Sequence, residues 1–251
     1  MQGGRQLTEI RIAGLTKRYG ERTAVNNLNL TIRKGELFAL LGMNGAGKTT
    51  TIKMLSCLTV PTAGDAILLG DSIVTGRSAV KKKINVSPQE TAVAPNLTVM
   101  ENLELIAGIY GSDRKTAGTK AARMLSVFGL DEVAGSKAKT LSGGMQRRLS
   151  IAMGLISEPE ILFLDEPTLG LDVLARRELW DTIRKLKGEV TIILTTHYME
   201  EAEGLSDRLG IMAKGELKAV GTVSELVSLA GGARTFEDAF VALATRQGAG
   251  A

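Results

Sequence analysis

Cysteine occurs once in the 251 residues, tryptophan once, and all aromatic residues together make up only 4% of the chain. The lone Cys57 excludes an internal disulfide and fits a reducing compartment. It is expected to be a small buried hydrophobe rather than a reactive thiol. So few aromatics leave no interleaving of aromatic and basic side chains of the kind single-stranded nucleic-acid binders use, and no nucleic-acid partner is expected. Long apolar runs are missing as well. The longest are strand-length, short of the ~18 residues that cross a bilayer. The N-terminus shows no apolar core of an export signal, which leads to an expected cytoplasmic location. An excess of either charge is also lacking: 31 Lys and Arg against 27 Asp and Glu give a net charge of +4. That mild basicity reads as solvated surface, with Lys81-Lys82-Lys83 its one cluster.

What remains is an ordinary globular composition, 44% hydrophobic and 23% charged, enough for one large domain. Residues 7–12 and 24–32 alternate apolar and polar and predict half-exposed strands, ahead of a buried strand over 36–41. They suggest a small antiparallel sheet beside an α/β core. A strand is predicted over 84–90, and Thr98 with Glu101 forms a capping box opening a helix. Further helices are predicted over 113–130 and 142–157, so 90–158 is helix-rich. Strands over 160–167 and 189–197, with a helix over 173–187 between them, mark a parallel sheet with crossovers.

Glycine, in contrast, is plentiful, and it is concentrated after the strand at 36–41. There Gly42-Met43-Asn44-Gly45-Ala46-Gly47-Lys48-Thr49-Thr50 satisfies G-x-x-x-x-G-K-[ST]. A tight strand-to-helix turn explains one or two of these glycines but not the lysine at a fixed place after the last. Bare backbone N–H groups can curl around phosphate oxygens at a helix N-terminus. Lys48 would reach the β- and γ-phosphates of a nucleotide, and the Thr49 hydroxyl would ligate Mg²⁺. The loop, Lys48 included, is expected to face solvent.

Asp165 and Glu166 end an apolar strand. On a strand they point to opposite faces and should do different work. Asp165 would hold Mg²⁺, directly or through water, and Glu166 would polarise an attacking water. His197, the only histidine, ends the next strand and could contact the γ-phosphate. Gln89 is either a surface glutamine or a sensor whose amide touches Mg²⁺ or water. Tyr19 is either an aromatic on an edge strand or a platform for an adenine face. A second glycine pair, Ser142-Gly143-Gly144, opens another anion-binding helix end, yet only one carboxylate segment serves both loops. One hydrolytic set plus one spare phosphate clamp suggests two chains meeting head to tail.

Together these segments resemble an ATP-binding cassette (ABC) ATPase over nearly the whole chain. Tyr19 matches the family's adenine-stacking aromatic, Gly42–Thr50 its Walker A loop and Gln89 its Q-loop. Leu141-Ser142-Gly143-Gly144-Met145 matches the signature, Asp165-Glu166 Walker B, Leu171-Asp172 the D-loop and His197 the switch histidine. Met43 replaces a common proline, and Met145 a common glutamine.

The resemblance implies a P-loop NTPase core with a parallel sheet (7–89 and 159–220), a small N-terminal antiparallel β subdomain and an inserted helical subdomain (90–158). C-terminal helices would follow over 222–245, then a tail over 246–251. It also implies ATP and Mg²⁺ as ligands and pairing as a homodimer or an ATPase heterodimer, with Asp172 at the dimer contact. A membrane-spanning transporter subunit would dock near Gln89 and the helical subdomain, holding the chain at the inner face of the membrane. The ending "TFEDAFVALA" resembles that of drug, antibiotic and polysaccharide exporter ATPases, although Phe236, Phe240 and Leu243 also read as a core-facing stripe. The expected function is therefore an ATPase that powers export, the alternative being a soluble ABC ATPase of iron–sulfur assembly, translation or DNA repair.

Overall fold

A computed structural model describes residues 8–246; Leu7 and the tail from 247 onward, both assigned from sequence, lie outside it. In chain order the first elements are β1 (Thr8–Tyr19), β2 (Arg22–Arg33), β3 (Leu37–Leu41), α1 (Lys48–Leu55), β4 (Ala63–Leu68), β5 (Asp71–Ser72) and α2 (Arg77–Lys83). Then come β6 (Ile84–Ser87), α3 (Val99–Ile109), α4 (Arg114–Phe128), α5 (Gly143–Leu155), β7 (Ile161–Asp165) and α6 (Val173–Lys185). The chain continues with β8 (Thr191–Thr196), α7 (Met199–Leu205), β9 (Arg208–Ala213), β10 (Glu216–Gly221), α8 (Val223–Ala230) and α9 (Phe236–Thr245). These divide into two compact units, one running to Lys83 and resuming at Lys187, the other spanning Ile84–Leu186.

In the flanking unit, β2, β1, β4 and β5 form an antiparallel sheet in that order. β1 runs on to Tyr19, well past the strand predicted over 7–12, because register shifts let it keep pairing with β2 along its length. It also lies between β2 and β4, so Tyr19 is not on an edge strand. A second set of strands places β3 between β8 and β9, parallel to both, with β10 antiparallel on β9. All five residues of β3 and all six of β8 are buried, as expected of strands covered on both faces. Cys57 is buried just past α1, at a positive φ of 58°. On α9 the inward stripe is Phe236, Ala239 and Leu243. Phe240 is only half-buried, so the stripe steps by three rather than four at that point.

In the central unit, β6 and β7 pair in parallel. The expected capping box is present: the Thr98 hydroxyl accepts from the Glu101 N–H, and the Glu101 carboxylate accepts from the Thr98 N–H. α3 and α4 bury Val99, Leu103, Ala121, Leu125 and Phe128. Grouping by contact places β6, β7 and α6 with the helices 90–158, where the sequence-based boundaries set them apart. Strand pairing and the packing of α5 over β6 and β7 account for that grouping.

Candidate active site

The phosphate loop lies in the flanking unit. β3 ends where the Gly42 N–H donates to the Thr196 carbonyl, 3.2 Å away at the end of β8. The chain then turns and enters α1 through Gly47, whose φ of 104° is left-handed. A Cβ on Gly47 would stand 2.6 Å from the Ala24 carbonyl, and one on Gly42 2.4 Å from the Met212 carbonyl. The packing of the loop on β2 and β9 therefore requires these two glycines independently of any phosphate. Gly47 caps α1 with no side-chain hydrogen bond, so no N-cap side chain competes with an anion for that end.

Met43, Asn44 and Gly45 face solvent as expected, but Lys48 does not. It is 5% exposed, and its Nζ donates to the Gly42 carbonyl at 2.7 Å and the Met43 carbonyl at 3.3 Å. The cation lies back across its own loop, beneath the curl of backbone it would share with a triphosphate. Ala46 is buried, while Thr49 and Thr50 are half-buried at the helix start.

β3 and β8 are in register with Leu41 opposite Thr196, so His197 leaves the sheet beside the first residue of the loop. Its ring lies 4.1 Å from that of Tyr198. Tyr19 is half exposed, with the Lys17 Nζ 5.0 Å from its ring centre. An exposed π-face with a cation beside it suits stacking on a flat base.

The central unit carries the other motifs. Ser87 sits opposite Leu164, so Gln89 and the carboxylates leave the same end of the β6–β7 pair. Gln89 is exposed; Asp165 and Glu166 are buried. The alternation expected of two strand residues does not hold, because β7 stops at Asp165 and Glu166 has a left-handed φ of 48°. Backbone reversal, rather than the pleat, separates the two carboxylates. Ser142 caps α5, its hydroxyl accepting from the Met145 N–H at 3.3 Å while keeping its own proton to donate. Gly143 has open space around it, whereas a Cβ on Gly144 would meet the Ala175 Cβ at 2.8 Å. Asp172 caps α6, its Oδ1 accepting from the Leu174 and Ala175 N–H groups at 2.9 Å. Sequence reasoning passed over Arg147, a cation only 4% exposed on α5. Its one sequence signal is a charge on the helix face that also carries the buried Ser150 and Ile151.

The candidate Mg²⁺ donors are a hydroxyl (Thr49), an amide (Gln89) and a carboxylate (Asp165), the hard oxygens that this ion takes. Among the described residues no group of three or more His, Cys, Asp or Glu could hold a metal by itself. Mg²⁺ is commonly held by one or two carboxylates together with substrate phosphates, and the donors here fit that pattern.

The family profile described as ABC transporter matches residues 25–169. The Nod factor export ATP-binding protein I of Ralstonia nicotianae is 42% identical over 218 residues, 86% of this chain and 68% of that protein. The human phospholipid-transporting ATPase ABCA3 is 44% identical over 202 residues; the match covers 80% of this chain but 12% of that protein's length. A dimeric ATP-binding cassette solved in a post-hydrolysis state with ADP and Pi superposes with a TM-score of 0.76 at 27% identity, covering 85% of this chain and 98% of that one. With a profile matched over more than half its length and a nucleotide loop of the geometry described, the chain belongs to the ABC transporter family as an ATP-binding cassette.

Proposed function

We propose that the chain is the ATP-hydrolysing subunit of an export-type membrane transporter. One observation carries the nucleotide reading: a helix entered through an uncapped left-handed glycine, with a buried lysine folded across the loop before it. Lys48 and the loop N–H groups bind the β- and γ-phosphates, and Tyr19 stacks on the adenine. Glu166 polarises the attacking water, and His197 orients it against the γ-phosphate. Thr49, Gln89 and Asp165 are the residues that would hold Mg²⁺, which would neutralise phosphate charge when bound. Ser142-Gly143-Gly144 of a second copy closes over the same ATP, its hydroxyl donating to the γ-phosphate.

The export reading is supported by the name of the Nod factor relative and by the C-terminal "TFEDAFVALA". Both favour it over a soluble role without a membrane partner. Among the described residues no helix is long and apolar enough to cross a membrane. Within the central unit a cleft of about 140 Å³, lined by Val86, Ala92, Ile106, Tyr110 and Met153, lies next to Pro88. Leu105 and Ile109 of α3 are exposed. This surface is the proposed dock for a membrane subunit.

Lys48→Met keeps the aliphatic stem and removes the charge. It should slow MgATP hydrolysis roughly 10²-fold or more, by analogy with the loss of one donor to a developing anion. Hydrolysis at the parent rate by a folded Lys48→Met protein would reject the phosphate assignment.

A further inference from the structure

The guanidinium of Arg147 donates to four backbone carbonyls in the central unit. Nε donates to the Pro167 carbonyl at 2.8 Å and Nη2 to the Asp165 carbonyl at 2.9 Å. Nη1 donates to the Gln89 carbonyl at 3.3 Å and also to that of Pro88. Asp165 and Pro167 are the two neighbours of Glu166, so one rigid planar group holds the peptide that leads into Glu166 and the carbonyl one residue beyond it. Glu166 itself has a left-handed φ of 48°, a conformation disfavoured for any residue with a side chain, and it is 7% exposed. Such a backbone persists only when its surroundings over-determine it. The fork of donors on Arg147 supplies that constraint, since five N–H groups in fixed geometry can bind several carbonyls at set angles.

We propose that Arg147 is a positioning residue. Its fork sets the direction in which the Glu166 carboxylate points, and the same fork ties that direction to the backbone of Pro88 and Gln89. A shift of the 88–89 backbone then moves the guanidinium, and with it the peptides around Glu166. This inference rests on the reading of Glu166 as the water-polarising base, and it adds a residue outside the nucleotide motifs to that step. Arg147 would act on turnover rather than on ATP affinity, because none of the carbonyls named belongs to the phosphate loop or to Tyr19, the groups that bind the nucleotide itself.

The test is Arg147→Lys, which keeps the charge and most of the length but loses the fork. Steady-state MgATP hydrolysis should show kcat lowered roughly 10- to 100-fold, the scale of a misplaced catalytic group, with KM changed by less than about 3-fold. A comparable rise in KM, or loss of ATP binding, would mark Arg147 as a general brace and overturn the proposal. Glu166→Gln measured alongside separates the two readings. If it hydrolyses at the parent rate, the base assignment fails and the Arg147 inference fails with it. If it stalls while Arg147→Lys runs at the parent rate, only the Arg147 inference is lost.

In the double variant, a residual rate within about 2-fold of Glu166→Gln alone supports action through Glu166, because residues acting as one unit are not additive. Multiplied losses speak against it. Should Arg147→Lys fail to fold, the parent protein reports directly by NMR. The Arg147 Nε–H should exchange slowly with solvent, as a buried donor to the Pro167 carbonyl. Exchange at the rate of a free arginine would overturn the inference.

Discussion

His197 and Lys48 take their working environments from different sources, the one from a distant strand and the other from its own loop. Lys48 follows three glycines in a solvent-facing loop, yet it is buried because its stem folds back to the Gly42 and Met43 carbonyls. His197 follows an apolar strand, and its place beside the loop comes from the register of β8 on β3. If that place serves the γ-phosphate, His197→Ala should lower kcat by roughly 10²-fold, the low end of general acid–base contributions. ATP and ADP affinity should be largely kept, which titration with a fluorescent nucleotide would check. An equally large loss of ADP binding would instead make the ring a packing partner of Tyr198.

Helix α3 begins at a signal four residues long. The hydroxyl of Thr98 and the carboxylate of Glu101 satisfy each other's backbone N–H groups, and these hydrogen bonds hold the Glu101 carboxyl below the usual carboxylate range. Buried Val99, Leu103 and Ala107 make up its inner face, while Leu105 and Ile109 remain exposed. An exposed apolar pair beside the cleft at Ile106 and Tyr110 fits a partner rather than water. Cysteines at 105 or 109 should therefore crosslink to cysteines in the cognate membrane subunit, with a yield that changes when ATP is added. The native thiol will not interfere, because burial raises the pKa of Cys57 more than nearby Arg77 lowers it. Crosslinking confined to α9 would reject docking at α3.

At the scale of the whole molecule, the spare clamp at Ser142 and the exposed Leu169, Val173 and Leu174 around Asp172 point to a second chain. Glu166→Gln should stall hydrolysis after ATP binds and trap the closed pair. A ligand that binds only the closed state stabilises it by a few kcal/mol at ~100-fold over its dissociation constant. The variant should then sediment as a dimer with ATP and as a monomer with ADP. Adding Ser142→Arg should abolish the dimer, because a bulky cation would fill the clamp. A Glu166→Gln protein that stays monomeric at every ATP concentration would speak against self-pairing and for pairing with another ATPase chain.

By itself the sequence determined the features whose causes lie within a few residues of each other. The phosphate loop, the capping box at Thr98, the caps at Ser142 and Asp172 and the buried run of β3 are local, since their donors and acceptors are close along the chain. The order of the motifs, read through the family resemblance, added the nucleotide function. Tertiary structure decided what depends on distant backbone. Gly42 and Gly47 are forced by carbonyls of Met212 and Ala24, far away in sequence. β1 extends to Tyr19 through its pairing with β2 and β4, and β4 itself carried no signal strong enough to predict it. The reversal at Glu166 and the buried cation of Arg147 were equally illegible. Each is stabilised by hydrogen bonds that form only once α5 has packed over β6 and β7, and no local pattern of residue types encodes that meeting.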